Sequence, residues 1–195
     1  MAIANGYATL AEFKLYVPID STDTDDDKVI EDIIEAASRW VDSHCGGRTF
    51  YGRTETRYFD KPPGRELRFD DDLLSITTLT NGDGDTIADT EYNFLPRNKA
   101  PYYGLKLKQS STYAWAFDSD GNDEAVISIE GSWGYASTRP DDINLYCLEL
   151  SKAAYNRRSG QSAEGVATIT GAGVVITPQG VPPWVMVGLQ AYRKR

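Results

Sequence analysis

Apolar residues near the start of the chain recur at every third or fourth position, which predicts two amphipathic helices. The first should span Leu10 to about Val17, because Thr9 and Glu12 have the spacing of a capping box. The second has the stronger pattern, with apolar residues recurring from Val29 to Val41. Gly46-Gly47 follows as a helix stop, since glycine readily adopts the left-handed conformation that ends many helices.

Beyond the second helix the apolar residues alternate with polar ones, which predicts β-strands. The predicted strands are Thr54–Phe59, Glu66–Phe69, Leu74–Thr80, Thr86–Phe94, Leu105–Lys108 and Ala125–Trp133. Turn sequences separate them, including a hairpin signal at Asn81-Gly82. Between the last two, Tyr113, Trp115 and Phe117 alternate with alanines, so in an extended chain their rings would share one side.

Helical spacing returns after the β-rich region. A third helix is predicted from Pro140 to about Arg158, with acidic residues in its first turn and basic residues in its last. The stretch Ser159–Pro182 is rich in Gly, Ser and Thr but carries alternating apolar residues, so it is either a flexible arm or an exposed β-ribbon. Pro182-Pro183 then begins a short amphipathic helix with a basic end.

These elements predict an α+β protein. Its helical core has three main helices, interrupted by an inserted antiparallel β-rich region and followed by an extended C-terminal arm that ends in a short helix. The expected boundaries are 1–50 for the N-terminal helical part, 51–137 for the β-rich insertion, 138–160 for the third core helix and 161–195 for the arm and its helix.

The net charge of the chain disfavours one class of function. The 195 residues include 29 Asp and Glu against 20 Lys and Arg, a formal net charge of -9. Tight binding to nucleic acid depends on Lys and Arg replacing counterions at phosphates, so a nucleic-acid-binding protein is disfavoured. No apolar run approaches the roughly 20 residues that cross a bilayer, and no export signal is apparent at the N-terminus, so no membrane association is expected.

The residue types that usually carry catalysis or bind metals are scarce. His44 is the one histidine, and its neighbour Cys45 does not face it, because consecutive helical residues point about 100° apart. We therefore expect His44 to pack in the core at the end of its helix. Cys45 and Cys147 lie in helical patterns without redox or zinc spacing, so buried thiols are expected rather than a disulfide.

Acidic residues cluster in three turns, but none has the pattern of a calcium site. The turns at Asn81–Asp85 and Asp118–Asn122 lack the glycine and glutamate that an EF-hand loop requires. The run Asp20–Asp27 is explained by a solvated loop with Asp25 or Asp26 capping the second helix. No acid–base pair and no phosphate-binding glycine loop can be named, so we expect no metal, no cofactor and no enzymatic activity.

Four segments at the two ends of the chain occur in a suggestive order. They are Tyr7–Tyr16, Asp25–Ile34, Ala36–Phe50 and Pro182–Lys194. Together they resemble the head-tail connector proteins of tailed bacteriophages, also called adaptor or head completion proteins. The resemblance rests on the order of the segments and not on one motif, and the β-rich region contributes least to it.

The resemblance implies a non-enzymatic protein of the virion neck, made in the host cytoplasm. Such proteins form an adaptor ring, commonly a dodecameric ring of twelve copies, that binds below the portal, extends the DNA channel and joins the capsid to the tail. The implied partners are the portal protein, neighbouring copies, and a tail or stopper protein. During DNA ejection, DNA passes through the channel without specific binding, which agrees with the acidic net charge.

The resemblance also implies roles for individual residues. The portal-docking residues would be Trp184, Leu189, Tyr192, Arg193 and Lys194. Strand pairing between subunits, or with the portal, would involve Val166, Ile169, Val174 and Ile176, as in strand addition to a sheet edge. The alternative function is a carbohydrate- or protein-binding module that uses the aromatic side chains of the β-rich region, since such rings stack on sugars and anchor interfaces.

Overall fold

The computed structural model describes residues 5–158, 166–170, 173–177 and 181–194, with only the backbone given for 166–170 and 173–177. The helices are α1 (Leu10–Tyr16), α2 (Asp27–His44), α3 (Asp141–Arg158) and α4 (Pro183–Gln190). The strands are β1 (Arg53–Phe59), β2 (Glu66–Thr80), β3 (Tyr92–Leu95), β4 (Tyr102–Leu107), β5 (Ile127–Trp133), β6 (Val166–Thr170) and β7 (Gly173–Thr177). The predicted α+β class is confirmed.

The chain divides into two compact units. The helical unit comprises Met1–Gly47 and Arg139–Arg195, and the sheet unit comprises Arg48–Thr138. The sheet unit is therefore continuous in sequence, whereas the helical unit is assembled from two separate parts of the chain.

The capping box predicted at the start of α1 is present. Thr9 Oγ1 accepts a hydrogen bond from the Glu12 amide at 3.2 Å, and Glu12 Oε2 accepts one from the Thr9 amide at 2.7 Å. Arg139 also donates to the Glu12 carboxylate and to the Tyr7 carbonyl. Burial raises the pKa of Glu12, but the hydrogen bonds from Arg139 and Thr9 outweigh burial and leave that pKa below its ordinary value.

Helices α2 and α3 contribute the apolar core of the helical unit. In α2, Ile30, Ile34 and Val41 are at most 1% exposed, and in α3 Ile143 and Cys147 are fully buried. Burying one such aliphatic side chain stabilises the fold by about 1.5–3 kcal/mol. Both cysteines are free and buried, as predicted, and burial raises the pKa of the Cys147 thiol.

Four tyrosine hydroxyls donate hydrogen bonds to carboxylates within the helical unit. The pairs are Tyr7 with Asp42, Tyr16 with Glu149, Tyr155 with Asp26, and Tyr192 with Asp142. Burial and the bond to Glu149 raise the pKa of Tyr16 to about 12. The bonds of Tyr16 and Tyr155 join the two parts of the unit, whereas those of Tyr7 and Tyr192 each link residues within one part.

The predicted capping of α2 is wrong in one respect. Asp26 occupies the N-cap position, but its side chain makes no capping hydrogen bond. Its carboxylate instead accepts hydrogen bonds from the hydroxyl of Tyr155 at 2.9 Å and from Arg158 at 3.0 Å. The bond from Tyr155, followed by that from Arg158, lowers the pKa of Asp26.

The sheet unit contains a five-stranded antiparallel sheet in the order β1-β5-β2-β4-β3. Trp133, the last residue of β5, is fully buried, with the rings of Phe59 and Phe69 at centroid distances of 5.8 and 5.4 Å. The indole nitrogen donates to the Glu55 carbonyl at 3.2 Å. Other buried members of this core are Leu67, Leu73, Leu79, Ile87, Tyr92, Leu105, Leu107, Trp115, Ile127 and Ile129.

Strand β2 differs from the prediction because two expected strands, Glu66–Phe69 and Leu74–Thr80, are parts of one strand. The chain stays extended through the three aspartates between them, with shifts of register against both neighbouring strands. Arginines neutralise the inner acids: Asp72 is 6% exposed and accepts from Arg48 Nε at 2.6 Å, and Asp71 accepts from Arg57 at 2.9 Å.

The strand predicted at Thr86–Phe94 is wrong over most of its length. A 3-10 helix occupies Asp89–Glu91, and β3 begins only at Tyr92. Ile87 is buried, but the next three residues are all exposed, which breaks the alternation that a half-buried strand needs. Thr86 makes only an isolated bridge to Thr80.

Candidate functional site

Helix α4 follows Pro182 and has proline at its first position, which fits the fixed backbone angle of proline. Its two faces differ. Val185 and Leu189, one helical turn apart, are fully buried, whereas Trp184 is 46% exposed and Val187 is 66% exposed. The helix therefore attaches to its own unit by one face and presents two large apolar side chains on another.

The predicted docking residues divide between these two environments. Leu189 lies in the core, and its carbonyl accepts a weak hydrogen bond from the Cys45 thiol at 3.8 Å. The Tyr192 hydroxyl donates to Asp142, and the Lys194 amide donates to the Cys45 carbonyl at 3.1 Å. Leu189 and Tyr192 thus hold the C-terminal segment on the helical unit.

The exposed part of the set is Trp184 and Arg193. Trp184 packs edge-on against Tyr146 of α3 at a centroid distance of 5.5 Å. Gly188 lies against the same tyrosine so closely that a Cβ there would overlap the Tyr146 hydroxyl. Val187 is not among the predicted docking residues, although its three-residue spacing from Trp184 places both on one side of a helix.

The residues predicted for strand pairing between subunits all lie in the hairpin formed by β6 and β7. The two strands are antiparallel, with Val166 opposite Thr177, Ile169 opposite Val174, and Ala167 opposite Ile176. In the part of the chain that the structure describes, β6 and β7 pair only with each other. Pairing with another subunit stays a prediction.

Aromatic residues of the β-rich region are largely used for packing. Trp115 is 6% exposed and belongs to the sheet core, as does Trp133. The segment around Trp115 is not a strand: the Asn81 side chain holds it by donating to the Ala114 carbonyl at 3.0 Å and accepting from the Ala116 amide at 3.1 Å. The alternative of a sugar- or protein-binding module therefore depends on the more exposed rings Tyr58, Tyr103 and Phe117.

The side chains that could bind a metal are dispersed in the part of the chain that the structure describes. No group of three His, Cys, Asp or Glu side chains within the described residues could hold a metal ion. The carboxylate of Asp118 instead closes its own turn by accepting from the Asp120 and Asn122 amides at 2.9 and 2.8 Å. Hydrogen bonds from the Asn122 side chain and amide lower the pKa of Asp118 despite the small opposing effect of desolvation.

His44 is not in the core, contrary to the prediction. It is half-buried and stacks on Trp40, one helical turn earlier, at a centroid distance of 4.9 Å. The imidazole of His44 is therefore covered on one side by the ring of Trp40 and is not enclosed by core residues. Among the helices that the structure describes, none is both long enough and apolar enough to cross a membrane.

Solved structures of gene transfer agent particles contain chains with a similar fold. A chain in the neck of an empty gene transfer agent (GTA) particle, computed with C6 symmetry, is 14% identical, covers 100% of this chain and 93% of its own length, and has a TM-score of 0.58. The fold is one found in gene transfer agent particles. A chain in the virion of a native GTA particle has the same identity and coverage with a TM-score of 0.55.

No protein-family model and no curated protein matches the sequence. The GTA likeness covers the whole chain, so it includes the elements of both units. At 14% identity, the likeness is one of fold.

Proposed function

We propose that this protein is a structural component of the neck of a phage-like particle, located in the virion between head and tail. The observation that carries this proposal is the fold shared with a GTA neck chain along 100% of this sequence. The side chains of the sheet unit agree with it, because the buried aromatic rings fill a core.

Within the neck, we assign the protein the role of a head-tail adaptor. Copies would form a ring that binds below the portal, extends the DNA channel and joins the capsid to the tail or to a stopper protein. The neck structure with this fold was computed with sixfold symmetry, which suits a ring whose copy number is a multiple of six, twelve included. A net charge of -9 would let DNA pass during ejection without specific binding.

The exposed face of α4 is the part of the C-terminus most suited to docking on the portal. Trp184 and Val187 offer apolar surface on the helix, and Arg193 and Lys194 add basic groups shortly after its last residue, Gln190. Tryptophan and arginine are both enriched among the residues that anchor protein interfaces, since tryptophan buries a large area and arginine makes polar contacts. Leu189 and Tyr192 act indirectly in this proposal, by fixing α4 on the helical unit.

Replacing Trp184 by alanine tests this assignment. Deleting the whole segment would be a poor test, because Val185 and Leu189 are core residues. We expect Trp184→Ala to weaken attachment to purified portal-bearing heads by about tenfold or more, as for an interface hot spot. The measurements are co-sedimentation with heads and thermal unfolding of the variant, which should remain close to that of the wild type.

Leu15→Ala is the matched control, because Leu15 lies in α1 of the same unit and is 85% exposed. It removes a comparable apolar surface away from α4 and should leave attachment unchanged. Equal attachment of Trp184→Ala and the wild-type protein would contradict the docking role of α4. Failure of the wild-type protein itself to attach to heads would contradict the adaptor function.

A further inference from the structure

An open apolar groove of about 310 Å³ lies between α2 and α3 of the helical unit. Small side chains create it: the alanines Ala36, Ala37, Ala153 and Ala154 leave space that larger residues would fill. Ile33, Trp40 and Leu150 supply the bulkier apolar walls, and Arg157 contributes the one charged side chain among the lining residues that the structure describes.

The groove is unusual for a helix pair in a small protein. Facing positions on packed helices normally interdigitate at close to crystalline density, and gaps lined by apolar atoms forfeit those contacts. Here Ala36 and Ala154 are exposed at the groove, although α2 and α3 are otherwise well packed. Apolar surface left in this way is typical of a site that another segment covers.

One face of the β6–β7 hairpin is apolar, as the groove is. Its register places Ala167 opposite Ile176 and Ile169 opposite Val174. Positions directly opposite each other in an antiparallel pair share a face of the ribbon, so one face consists of four apolar positions. A two-stranded hairpin is marginally stable by itself in water, which means that this face needs a surface to pack on.

The hairpin is connected to the groove by a short stretch of chain. Val181, which lines the groove, is four residues beyond Thr177, the last residue of β7. Four extended residues span at most about 14 Å. Arg157, on the opposite side of the hairpin in sequence, also lines the groove. An apolar hairpin attached next to an apolar groove can pack into the same groove of an identical subunit, which is how protomers exchange segments.

We propose that the apolar face of the hairpin from one copy packs into the α2–α3 groove of the next copy. This inference rests on the proposed ring, because a ring is closed by a head-to-tail contact in which one surface of each subunit meets a different surface of its neighbour. It also differs from strand addition at a sheet edge, since the hairpin contributes a face and the receiving surface is helical.

Cysteine cross-linking between two differently tagged copies tests the proposal. One copy carries Ala154→Cys in the groove and the other carries Ile176→Cys in the hairpin. Mixing them under mild oxidation should give a disulfide-linked heterodimer, since the proposed contact brings the new thiols together while native Cys45 and Cys147 are buried. The matched control, Thr168→Cys on the opposite face of the hairpin, should give about tenfold less dimer.

Two outcomes would overturn the proposal. If a chain carrying both Ala154→Cys and Ile176→Cys forms only an internal disulfide, the groove receives its own hairpin. If neither arrangement cross-links while the variants retain the wild-type circular dichroism spectrum, the hairpin does not occupy the groove at all. Ala154 is exposed, so Ala154→Cys should fold like the wild-type protein. Lys28→Cys, at an exposed position of α2, is the control for folding, and the circular dichroism spectra of the two variants should agree.

The hairpin contact between copies and the attachment to heads can be tested separately. A second variant, Ala154→Trp, fills the groove and should lower the amount of oligomer in sedimentation velocity by about tenfold relative to the wild-type protein. Cross-linking without attachment to portal-bearing heads would preserve the hairpin contact and overturn the adaptor role. Attachment of Ala154→Trp with wild-type oligomerisation would do the reverse.

Discussion

The sheet unit and the helical unit are stabilised in different ways. The sheet unit is one continuous stretch, and its strands surround a single aromatic and aliphatic core centred on Trp133. The helical unit joins two distant parts of the chain, and it adds hydrogen bonds from Arg139 and four tyrosines to carboxylates. The sheet unit therefore depends on the volume of its core and on the arginine–carboxylate pairs at Asp71 and Asp72, whereas the helical unit depends in addition on the protonation of tyrosine hydroxyls that donate to carboxylates.

Removing the central ring of the sheet unit should have the largest effect. We expect Trp133→Ala to reduce the free energy of unfolding by about 3–5 kcal/mol, because it leaves a cavity between Phe59 and Phe69. Urea unfolding followed by circular dichroism measures this loss. Trp133→Phe, which keeps an aromatic ring, should lose clearly less, and equal losses for the two variants would show that ring volume is not what matters.

Removing the arginine of the helical unit should have an intermediate effect that depends on pH. Arg139→Met should cost about 1–2 kcal/mol at pH 7, because Glu12 and the Tyr7 carbonyl lose a charged donor. The pKa of Glu12 is lowered in the folded protein, so its contribution is present above the ordinary value of 4.5 and is lost as pH falls through the folded pKa.

The difference in stability between wild-type protein and Arg139→Met should therefore shrink as the pH is lowered below 4.5. Urea unfolding at neutral and acidic pH gives this comparison. Arg68→Met, which removes an exposed arginine from the sheet unit, is the control and should change little at either pH. A constant difference across the acidic range would argue against the Glu12 pair as its source.

The smallest effect is expected for a single tyrosine hydroxyl. Tyr16→Phe should cost less than about 1 kcal/mol at neutral pH, because it removes one partly exposed hydrogen bond. The pKa of Tyr16 is raised to about 12 in the fold, so the contribution is complete below the ordinary value of 10 and is lost between 10 and 12. Thermal unfolding of both proteins across this range should converge, and parallel curves would contradict the assignment.

The helices were the most predictable elements of the fold. Local signals fix their ends: the Thr9 capping box starts α1, and Pro183 starts α4. The sheet was less predictable, because the continuity of β2 depends on Arg48 and Arg57 meeting Asp72 and Asp71 across the fold. Such pairing between distant residues leaves no trace in the spacing of apolar positions, so the aspartates looked like a break between strands.

The candidate site shows the same division. The amphipathic pattern of α4 was visible in the sequence, but which of its apolar residues face inward depends on the helices that receive them. Leu189 is buried and Val187 is exposed, although both are large and apolar. The groove between α2 and α3 was not visible either, since alanines at helical spacing are usually part of a core and become a groove only where two helices leave them uncovered.

The discontinuity of the helical unit has a consequence for synthesis on the ribosome. Glu12 is made long before Arg139, and Cys45 long before the residues of α4 that contact it. A nascent chain can therefore complete the sheet unit while the early helices still lack their partners, since domains form as their sequence emerges. The exposed face of α4 comes into position only when translation of this segment is finished, so a partly synthesised chain cannot dock through α4 too early.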